Sequence, residues 1–510
     1  MSNLSELLPT GGGQNVVDFV ASGTLSSGQT VALKADGTVE AVAETVIAPE
    51  APIGSRTLVD GNNTEYLSIS ADPFNENRWA AVYQDDIGNK DMFMKVFTRS
   101  GTSLTQSSAI SLVTGGSANR SCEVCFDRAQ ENVVLLMYND NSNDGVVQVA
   151  TISGSAGSES VALGTATDFY TPYPIFTASQ KGCINLICLD TSGNFMGTWV
   201  DANGSNGTIQ ARIFQVSGTS VTAGGSNTNL ATDASDYSDA TREICRHYSD
   251  ATKVYFAYKD TSAKLAMKVL TVSGTSISVG TKYQSSDDID GNGVSINPVS
   301  STKLIVSTAK QTGDYPAYHV VTDSSGTLSY GTYTVVSSVN SSTVIARGNQ
   351  ESTGLVFPYY YDYNAGSGSK PFVKILTSNS DASTITFSAE DQIDTNTVAP
   401  SFNNYAVQKD SSNHYLFLAE FSDDLYYILG KAGGTSTNSA DFIGITSAAI
   451  SDTATGAVNV YGGINEAQSG LTIGSDYYVQ DDGSIATTSS AVKIGEAISA
   501  TTINMMDLKL

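Results

Sequence analysis

The chain has 510 residues, charged residues make up 15% of it, and its formal net charge at pH 7 is −25. A chain of this length holds several domains or one large repeat architecture. The acidic balance leaves no basic patch to meet phosphates, so we expect no nucleic-acid partner. No apolar run approaches the roughly 20 residues that span a bilayer, so we expect no membrane insertion.

The composition predicts an all-β protein. Gly, Ser, Thr, Asn and Asp are abundant, and no convincing long amphipathic helix is present. Such a composition is typical of many short strands joined by many turns.

The cysteines and the N-terminus indicate a protein made in a cytosol. Five cysteines in a chain this long do not form a disulfide framework, and the first residues lack the basic flank and apolar core of a signal peptide. Cys122 and Cys125 have metal-ligand spacing, but no second pair follows at a plausible distance. We expect buried, reduced thiols rather than zinc ligands.

A short phrase occurs twice, once near each end of the chain. A constant offset of 446 residues superimposes Leu25 on Leu471, Gly28 on Gly474, and Asp36-Gly37 on Asp482-Gly483. Each copy reads as a turn, a strand, an Asp-Gly turn and a return strand. The second copy continues directly into Ile494-Gly495, whereas the matching Ile443-Gly444 of the first copy lies about four hundred residues downstream of it.

This arrangement predicts one small β base, split between residues 19–50 and 438–510, with a large insertion in a hairpin of its first repeat. Residues 1–18 carry a small apolar plug, a Gly-rich run and the start of a strand. They suit a docking arm, and a frayed terminus is the alternative.

Residues 56–435 repeat with a period of about 54. An apolar strand followed by a Ser-Gly-Thr-Ser turn closes the units, as at 100–103, 217–220 and 273–276. Within most units an earlier apolar strand runs into acidic or amide residues, as at Tyr83-Gln-Asp85 and Tyr258-Lys-Asp260. About four strands fit in each unit, which is propeller spacing.

Seven closing phrases predict a seven-bladed β-propeller inserted into a small split β-barrel or β-sandwich base. A flat solenoid of similar units is the alternative. The unit boundaries predict that each blade is complete within its own repeat.

The base resembles the small β-barrel modules of tailed-phage virion proteins. The residues that carry this resemblance are Gly444-Ile445, Gly456-Ala-Val458, Gly470-Leu471, Gly474, Tyr477-Tyr-Val479, Asp482-Gly483 and Ile494-Gly495-Glu-Ala-Ile498. Relatives with such modules are capsid decoration (cement) proteins and attachment modules on tail fibres of marine phages, including cyanophages. The Ser-Gly-Thr-Ser units are similar to blade repeats of phage fibre-like proteins. The chain departs from a simple cement protein in carrying a propeller, so capsid binding alone would account for only part of it.

The resemblance implies a non-enzymatic virion structural protein assembled in the host cytoplasm. Its base and arm would bind other virion proteins of the tail or the capsid, and its propeller would bind a glycan or protein of the host surface. A tail-fibre adhesin is the first expectation and a capsid decoration protein the second. A homotrimer is expected only from the families that the base resembles.

Asp288, Asp290 and Asn292 form the opening of a calcium-loop pattern, in which oxygens at alternate positions converge on a hard cation. Position twelve of the pattern is Val299 instead of Glu, and no flanking helices are evident. The alternative to a bound Ca²⁺ is a polar turn between blades. No other cofactor is expected.

Residues 357–363 hold five aromatic side chains in seven positions. Tyrosine offers a flat apolar face and a polar tip for stacking on sugars or on a protein partner. Tyr360 and Tyr363 are the candidates for a binding surface, on the expectation that Phe357, Tyr359 and Tyr361 face the other way. The alternative is packing between blades.

The three histidines, His247, His319 and His414, lie in different repeat units, and we expect each to be a strand residue. Nothing in the sequence brings them together as a zinc centre or a catalytic triad. No Ser-x-Asp-x-Gly-x-x-Trp run of the kind found in sialidases is present, and no carboxylate pair is singled out for acid–base catalysis. We therefore expect no enzyme, with a glycan-cleaving propeller as the remaining alternative.

Overall fold

A computed structural model describes most of the chain. The described residues are 15–47, 50–62, 64–85, 91–115, 122–142, 144–171, 184–201, 208–234, 242–310, 313, 315–338, 344–346, 356–364, 369–379, 381–389, 391–392, 405–409, 414–421, 424–431, 434–490 and 492–505.

The chain divides into two compact units. Residues 1–47 and 434–510 form the first, here called the base, and residues 48–433 form the second, here called the propeller. The bounds of the propeller lie within eight residues of the 56 and 435 expected from the sequence. Residues 1–14 of the expected docking arm lie outside the described part of the chain, and Val16–Val20 belong to a strand of the base.

Strands are numbered in chain order. The first segment of the base holds β1 (Val16–Val20), β2 (Thr30–Leu33), β3 (Val39–Ala41) and β4 (Glu44–Ile47). The first half of the propeller holds β5 (Glu50–Asp60), β6 (Thr64–Ala71), β7 (Arg78–Asp85), β8 (Met92–Ser100), β9 (Ser103–Gln106), β10 (Ile110–Val113), β11 (Cys122–Phe126), β12 (Val133–Asn139), β13 (Gly145–Ser153), β14 (Ser160–Leu163), β15 (Thr167–Tyr170), β16 (Asn185–Cys188), β17 (Asn194–Asp201), β18 (Thr208–Ser217) and β19 (Ser220–Ala231).

The second half of the propeller holds β20 (Arg242–Arg246), β21 (Lys253–Lys259), β22 (Lys264–Ser273), β23 (Ser276–Val279), β24 (Tyr283–Pro298), β25 (Lys303–Lys310), β26 (Tyr315–Ser324), β27 (Thr327–Tyr330), β28 (Thr334–Val335), β29 (Val344–Ala346), β30 (Val356–Asn364), β31 (Ser369–Ser378), β32 (Ile385–Phe387), β33 (Asp391–Gln392), β34 (Tyr405–Lys409), β35 (His414–Phe421) and β36 (Asp424–Lys431). The base then resumes with β37 (Gly434–Thr437), a 3-10 turn at Ser439–Asp441, β38 (Phe442–Thr446), β39 (Thr455–Val460), β40 (Ile464–Asn465), β41 (Asp476–Val479), β42 (Ile485–Ala486), β43 (Lys493–Ala497) and β44 (Ile503–Met505).

The propeller consists of antiparallel sheets of four strand positions each, here called blades 1 to 7 in chain order. Their first three strands are β6–β8, β11–β13, β16–β18, β20–β22, β24–β26, β29–β31 and β34–β36. The fourth position is usually two short strands, such as β9 and β10 in blade 1. The long strand β24 ends blade 4 and begins blade 5, and its pairing is interrupted between Ile289 and Val294, where the chain passes from one blade to the next.

Neighbouring blades pack in a closed ring. The first strands contact one another in chain order from β6 to β24, contacts from β24 to β29 and from β30 to β34 continue the series, and β34 contacts β6. A buried apolar cluster lies at each junction between successive blades, including the junction of blade 7 with blade 1. The all-β class and the propeller architecture are confirmed. The number of blades in the whole insertion stays a prediction.

Blade 7 differs from the prediction that each blade is complete within its own repeat. Its fourth strand is β5, which precedes blade 1 in the chain and pairs with β36. The prediction failed because the closing turns elsewhere lead from the third strand into the fourth, as at Ser217–Ser220, whereas after β36 the chain enters β37, which pairs with β4. The first and last strands of the propeller are therefore neighbours.

Side chains of one blade satisfy backbone N–H groups of the next. The innermost strand of a blade has one edge without a strand partner, and its N–H groups need other acceptors. The pairs are Ser68 Oγ with Val124 N at 3.3 Å, Asn185 Oδ1 with Ile244 N at 3.2 Å, and Glu243 Oε2 with Ile296 N at 3.0 Å. The three acceptors share one register position, opposite the fifth residue of the second strand.

A second register position, on the third strand, carries hydrogen-bond donors. In blades 1 to 5 its residues are Lys95, Gln148, Arg212, Lys268 and His319, each opposite the fourth residue of the second strand. Lys268 Nζ donates to the carbonyl of Leu230 in the preceding blade at 2.6 Å, and Lys95 bonds to the carbonyl of Val59 in the same way. Burial lowers the pKa of both lysines. In blades 1 and 4 this position therefore joins the third strand to the fourth strand of the preceding blade.

The closing turns also contribute to the junctions. Gly218 and Gly274 occupy the first central position of two-residue turns with φ of +60° and +59°, as type II′ hairpins require. The following threonines contact the preceding blade: a Cβ on Gly164 would lie 2.1 Å from the carbonyl oxygen of Thr219, and one on Gly224 would lie 2.3 Å from Cγ2 of Thr275. The repeated phrase thus encodes both a turn and a blade contact.

The base is a duplicated β-sandwich. One sheet has the order β1-β39-β38-β2-β3 and the other the order β40-β44-β43-β41-β42, so equivalent strands occupy equivalent positions. A common core contains Ala32, Ile445, Val479, Ile494 and Ile503, drawn from both sheets. The propeller is inserted between β3 and β38, a link that in the second copy spans only residues 487–492.

The Asp-Gly turns of the two copies are alike in detail. Asp36 Oδ1 accepts bonds from the backbone N and the hydroxyl of Thr38 at 2.9 and 2.6 Å, and Asp482 accepts the same two bonds from Ser484 at the same distances. These bonds, that from the side-chain hydroxyl first, lower the pKa of each carboxyl group. Gly37 and Gly483 adopt φ of +83° and +80°. The predicted repeat corresponds to a repeated structure.

In the part of the chain that the structure describes, no helix is both long and apolar enough to cross a membrane.

The duplication provides a matched test. Gly28 and Gly474 are equivalent, with φ of +74° and +78°, but a Cβ on Gly28 would lie 2.2 Å from the carbonyl oxygen of Ala467, whereas Gly474 has no atom closer than 4.0 Å. Left-handed backbone alone should make Gly474→Ala destabilising by about 1 kcal/mol. Gly28→Ala should lose about 1–3 kcal/mol more through the overlap.

Tryptophan fluorescence does not report on the base, because Trp79 and Trp199 both lie in the propeller. Hydrogen exchange of β2 and β38 is therefore the measurement that compares the two variants. Equal losses of protection in the two variants would contradict the close approach at Gly28.

Candidate functional site

The predicted calcium loop is not a loop. Asp288, Asp290 and Asn292 all lie within strand β24, where the chain passes from blade 4 to blade 5. The D-x-D-x-N-G spacing also fits a polar run in an extended strand, because alternate residues of a strand share one face. The three residues lie between two blades, as the alternative expected, but in a strand rather than in a loop or turn.

Asp288 has a cationic partner instead. Its Oδ1 lies 2.5 Å from Nζ of Lys264, and the carboxylate is about half exposed. The side chains of Asp290 and Asn292 lie outside the described residues. Among the side chains that are described, no three His, Cys, Asp or Glu come together as a metal site. Calcium binding by these three residues stays a prediction.

Tyr360 and Tyr363 lie on β30, opposite Val373 and Lys370 of β31. They are three residues apart on one strand, so their backbone positions alternate across the pleat. The expectation that both stand on the side opposite Phe357 holds for the position of Tyr360 and is wrong for that of Tyr363. Their side chains lie outside the described part, and a tyrosine surface stays a prediction.

The cysteines follow the prediction of buried thiols. Cys122, Cys188 and Cys245 are buried and reduced, and Cys125 is partly buried. Burial raises the pKa of Cys122 well above its usual range. Cys122 and Cys125 lie three residues apart on β11, at alternating positions of the pleat, which does not present two thiols to one metal ion. Cys183 lies outside the described residues.

The histidines do not form a site. His319 lies in β26 and His414 begins β35, as expected, whereas His247 follows the end of β20 and belongs to a turn. The three lie in blades 5, 7 and 4.

A polar cluster that the sequence analysis missed lies between blades 3 and 4. Lys282 Nζ lies 2.7 Å from Asp233 Oδ2 and 2.6 Å from Asp260 Oδ2. The hydroxyl of Tyr258 donates to Asp233 at 2.9 Å, and Nε2 of Gln284 donates to Asp260 at 2.8 Å. These five residues are called the Lys282 cluster.

Asp260 anchors the Lys282 cluster to the backbone. Its side chain is fully buried, and Oδ1 accepts bonds from the N–H groups of Ser262 and Lys264 at 2.9 and 3.0 Å. This fixes the turn between β21 and β22. Lys282 and Asp233 are about one third exposed, so the cluster opens to solvent on that side.

The charges of the Lys282 cluster stabilise one another. Burial lowers the pKa of Lys282, but hydrogen bonds to Asp233 and Asp260 outweigh it and leave that pKa raised. Burial likewise raises the pKa of Asp233, and the bonds from Lys282 and Tyr258 outweigh it, so the pKa is lowered. Burial, followed by the bond to Asp233, raises the pKa of the Tyr258 phenol. The cluster can hydrogen-bond a polar ligand, and its tyrosine stays neutral.

The Tyr-x-Asp ending of one marker phrase was the only local signal for this cluster. Blade 1 repeats part of it, because Tyr83 donates to Asp60 of β5 at 2.9 Å just as Tyr258 donates to Asp233. Lys282 and Asp233 are 49 residues apart in sequence, so only the fold brings them together.

Of the known proteins compared with this chain, only solved structures are similar to it. No family model and no curated protein matches the chain. Similar structures include the six-bladed β-propeller lectin of Aleuria aurantia (13% identity, TM-score 0.39, covering 64% of this chain and 96% of that one) and Sqt1 from Chaetomium thermophilum (12%, 0.43, 76% and 100%). A mutant of NanB sialidase from Streptococcus pneumoniae is also similar (12%, 0.38, 78% and 71%). At such values no ligand or activity is transferred to this chain.

The Lys282 cluster predicts an unequal effect of two lysine substitutions. Lys282→Met leaves the buried Asp260 facing Asp233 without their shared cation, and should destabilise the propeller by about 1–3 kcal/mol. Lys264→Met, the control, breaks the pair with Asp288, whose carboxylate is about half exposed, and should cost about 1 kcal/mol or less.

Urea unfolding followed by tryptophan fluorescence measures both losses. A Lys282→Met variant as stable as Lys264→Met would mean that the cluster contributes nothing to the junction of blades 3 and 4.

Proposed function

We propose that the chain is a non-enzymatic display and recognition protein, in which the base attaches to a larger assembly and the propeller binds a surface glycan. From the resemblance of the base to tailed-phage virion modules, we place it on the virion, as a tail-fibre or adhesin component for host attachment.

The way in which the propeller is inserted carries this proposal. Strand β4 leads into the propeller and β37 leads out of it, and the two pair in register from Glu44 with Thr437 to Ile47 with Gly434. The base keeps its duplicated sheets and its common core across the insertion. A module that is complete without its insertion can serve for attachment while the insertion serves another purpose.

The Lys282 cluster supports recognition of a polar ligand. It lies at the end of β21 and at the turn into β22, where carboxylate oxygens and an ammonium group are partly exposed. Charged groups held in place by neighbouring bonds can donate to and accept from ligand hydroxyls without first being ordered. Glycans present many hydroxyls, so a host-surface glycan is the ligand class that we propose.

The resemblance also supports a second location, in which the base binds the capsid lattice as a decoration protein. The two proposals share the attachment role of the base and differ in copy number. Decoration proteins follow the many lattice sites of a capsid, whereas fibres follow the low-order symmetry of a tail.

Quantitative mass spectrometry of purified virions against the major capsid protein tests the location. We expect a few to a few tens of copies per particle. Hundreds of copies would replace the tail-fibre proposal by the decoration proposal, and complete absence from virions would overturn both.

Glycan binding needs a separate measurement. The full-length chain should bind immobilised glycans from the host surface and leave their masses unchanged after long incubation. Shortened glycans would contradict the non-enzymatic assignment, and retention by host surface proteins but not by glycans would overturn the ligand class.

A further inference from the structure

Two of the three histidines lie at the junction of blades 4 and 5. His247 forms the turn that joins the first two strands of blade 4, and His319 lies on the third strand of blade 5. The apolar cluster of this junction includes Tyr255, Met267, Ile296 and Val306. Both imidazoles are buried.

His247 accepts hydrogen bonds that require its neutral form. Nδ1 accepts from the backbone N–H of Ser249 at 3.2 Å and of Asp250 at 3.0 Å. A protonated Nδ1 has no lone pair for them, so protonation breaks both bonds. The ring also stacks on Tyr255, with centroids 5.3 Å apart.

Other blades use a carboxylate for the same turn. Asp72 accepts from the N–H of Phe74 at 2.9 Å in blade 1, and Asp127 accepts from the N–H of Ala129 at 2.7 Å in blade 2. A carboxyl group still offers an acceptor oxygen after it takes up a proton, whereas an imidazole that takes up its second proton has no accepting lone pair. Blade 4 is therefore held by a titratable version of the turn.

The charged groups around His247 do not compensate its burial. Asp250 belongs to the same turn, Lys253 begins β21, and Asp323 comes from β26 of blade 5. Asp323 Oδ2 already accepts from the hydroxyl of Tyr255 at 2.8 Å. Burial lowers the pKa of His247, and the nearby Asp323 offsets this only in part.

His319 occupies, in blade 5, the third-strand position at which blades 1 to 4 have Lys, Gln or Arg as hydrogen-bond donors. Unlike those side chains, its imidazole has an ordinary pKa of about 6.5. Nδ1 lies 3.0 Å from the carbonyl oxygen of Gly331 and must carry the proton for that bond. Nε2 is then an acceptor, buried without a hydrogen-bond partner, and the nearest carboxylate oxygen, on Asp287, is 3.9 Å away. A second proton would place a positive charge inside the junction.

The groups facing His319 are mostly aromatic. Tyr333 and Tyr330 have ring centroids 4.6 and 5.5 Å from the imidazole, and Asp287 approaches from β24. Burial lowers the pKa of His319, while the bond to Gly331 and the charge of Asp287 act in the opposite direction without cancelling it. The equivalent lysines of blades 1 and 4 donate to carbonyls of the preceding blade, a bond that neutral His319 lacks.

We propose that the junction of blades 4 and 5 is an acid-sensitive seam, at which the closed ring opens first when the pH falls below about 6.5. At neutral pH both imidazoles are uncharged and the seam is closed. In mild acid, one protonation removes the acceptor of a turn and the other charges the apolar junction.

The sign of the pH dependence follows from linkage. A histidine whose pKa is lowered on folding contributes fully above its unfolded value of about 6.5, because neither state then binds the proton. As the pH falls below that value, the unfolded or opened form takes up the proton first, and the free energy of unfolding declines. The decline ends once the pH is below the folded pKa, where both forms bind the proton. Stability at the seam therefore falls with acidification.

The chain supplies its own replacements that lack an imidazole. His247→Asp introduces the residue that holds the turn in blades 1 and 2, and His319→Gln introduces the residue that Gln148 provides at the same position in blade 2. His414→Gln, in blade 7, is the control for removal of a histidine elsewhere. If His247→Asp fails to fold, His247→Asn keeps an acceptor without adding charge.

Hydrogen exchange at pH 7.5 and 5.0, corrected for the intrinsic rate, tests the seam. Opening of β20, β24 and β26 should increase about tenfold in acid in the wild-type chain, within the limit of about 30-fold for each histidine that takes up its proton only in the opened form. The double variant His247→Asp/His319→Gln should change less than about twofold, and His414→Gln should behave as wild type.

Two results would overturn the proposal. In one, the double variant opens in acid as much as the wild-type chain. In the other, the wild-type chain opens first at a different junction. Equal unfolding midpoints of the variants at pH 7.5 would establish that their neutral folds are comparable.

Discussion

The propeller depends on satisfying the inner edges of its sheets. An open strand edge exposes backbone donors and acceptors, and burying them without partners is unfavourable. At three junctions a polar side chain of one blade accepts a bond from the inner strand of the next, as Asn185 does from Ile244 and Glu243 from Ile296. The acceptor differs from junction to junction, but the register position does not. At these three junctions one blade thus completes the hydrogen bonding of the next.

The same dependence explains the other repeated features. Lys95 and Lys268 on the third strand reach carbonyls of the preceding blade, and Thr219 and Thr275 of the closing turns lie against glycines of that blade. Polar bonds at the two edges of a sheet fix its distance and register relative to the next, while the apolar cluster between them supplies most of the burial energy. A substitution at one of these positions therefore acts on a junction rather than on a blade. For this reason the junction of blades 4 and 5, which has imidazoles at two positions, differs from the rest.

Local features were predictable from the sequence, and long-range ones were not. The Asp36-Gly37 and Asp482-Gly483 turns and the Ser-Gly-Thr-Ser turns follow from short-range backbone chemistry, so their repetition revealed both the duplicated base and the propeller. The Lys282 cluster joins residues 49 apart, and the closing strand β5 comes from the opposite end of the propeller, so no local pattern marks either. Asp288 shows the opposite error, since alternating polar residues suit a metal loop and an exposed strand equally well.

The pairing of β5 with β36 serves both the closure of the ring and the insertion of the propeller into the base. An insertion is tolerated when its two ends lie side by side, because the host fold then needs no distortion. Since β5 completes the last blade, the entering and leaving strands of the propeller are paired, with Glu50 opposite Lys431. The host strands β4 and β37 are paired in the same antiparallel sense, with Ile47 opposite Gly434. A ring whose blades were each complete within one repeat would still place its ends on neighbouring blades, but no backbone hydrogen bonds would join them. The pairing of β5 with β36 therefore closes the ring and also places the two ends of the propeller side by side, as an insertion requires.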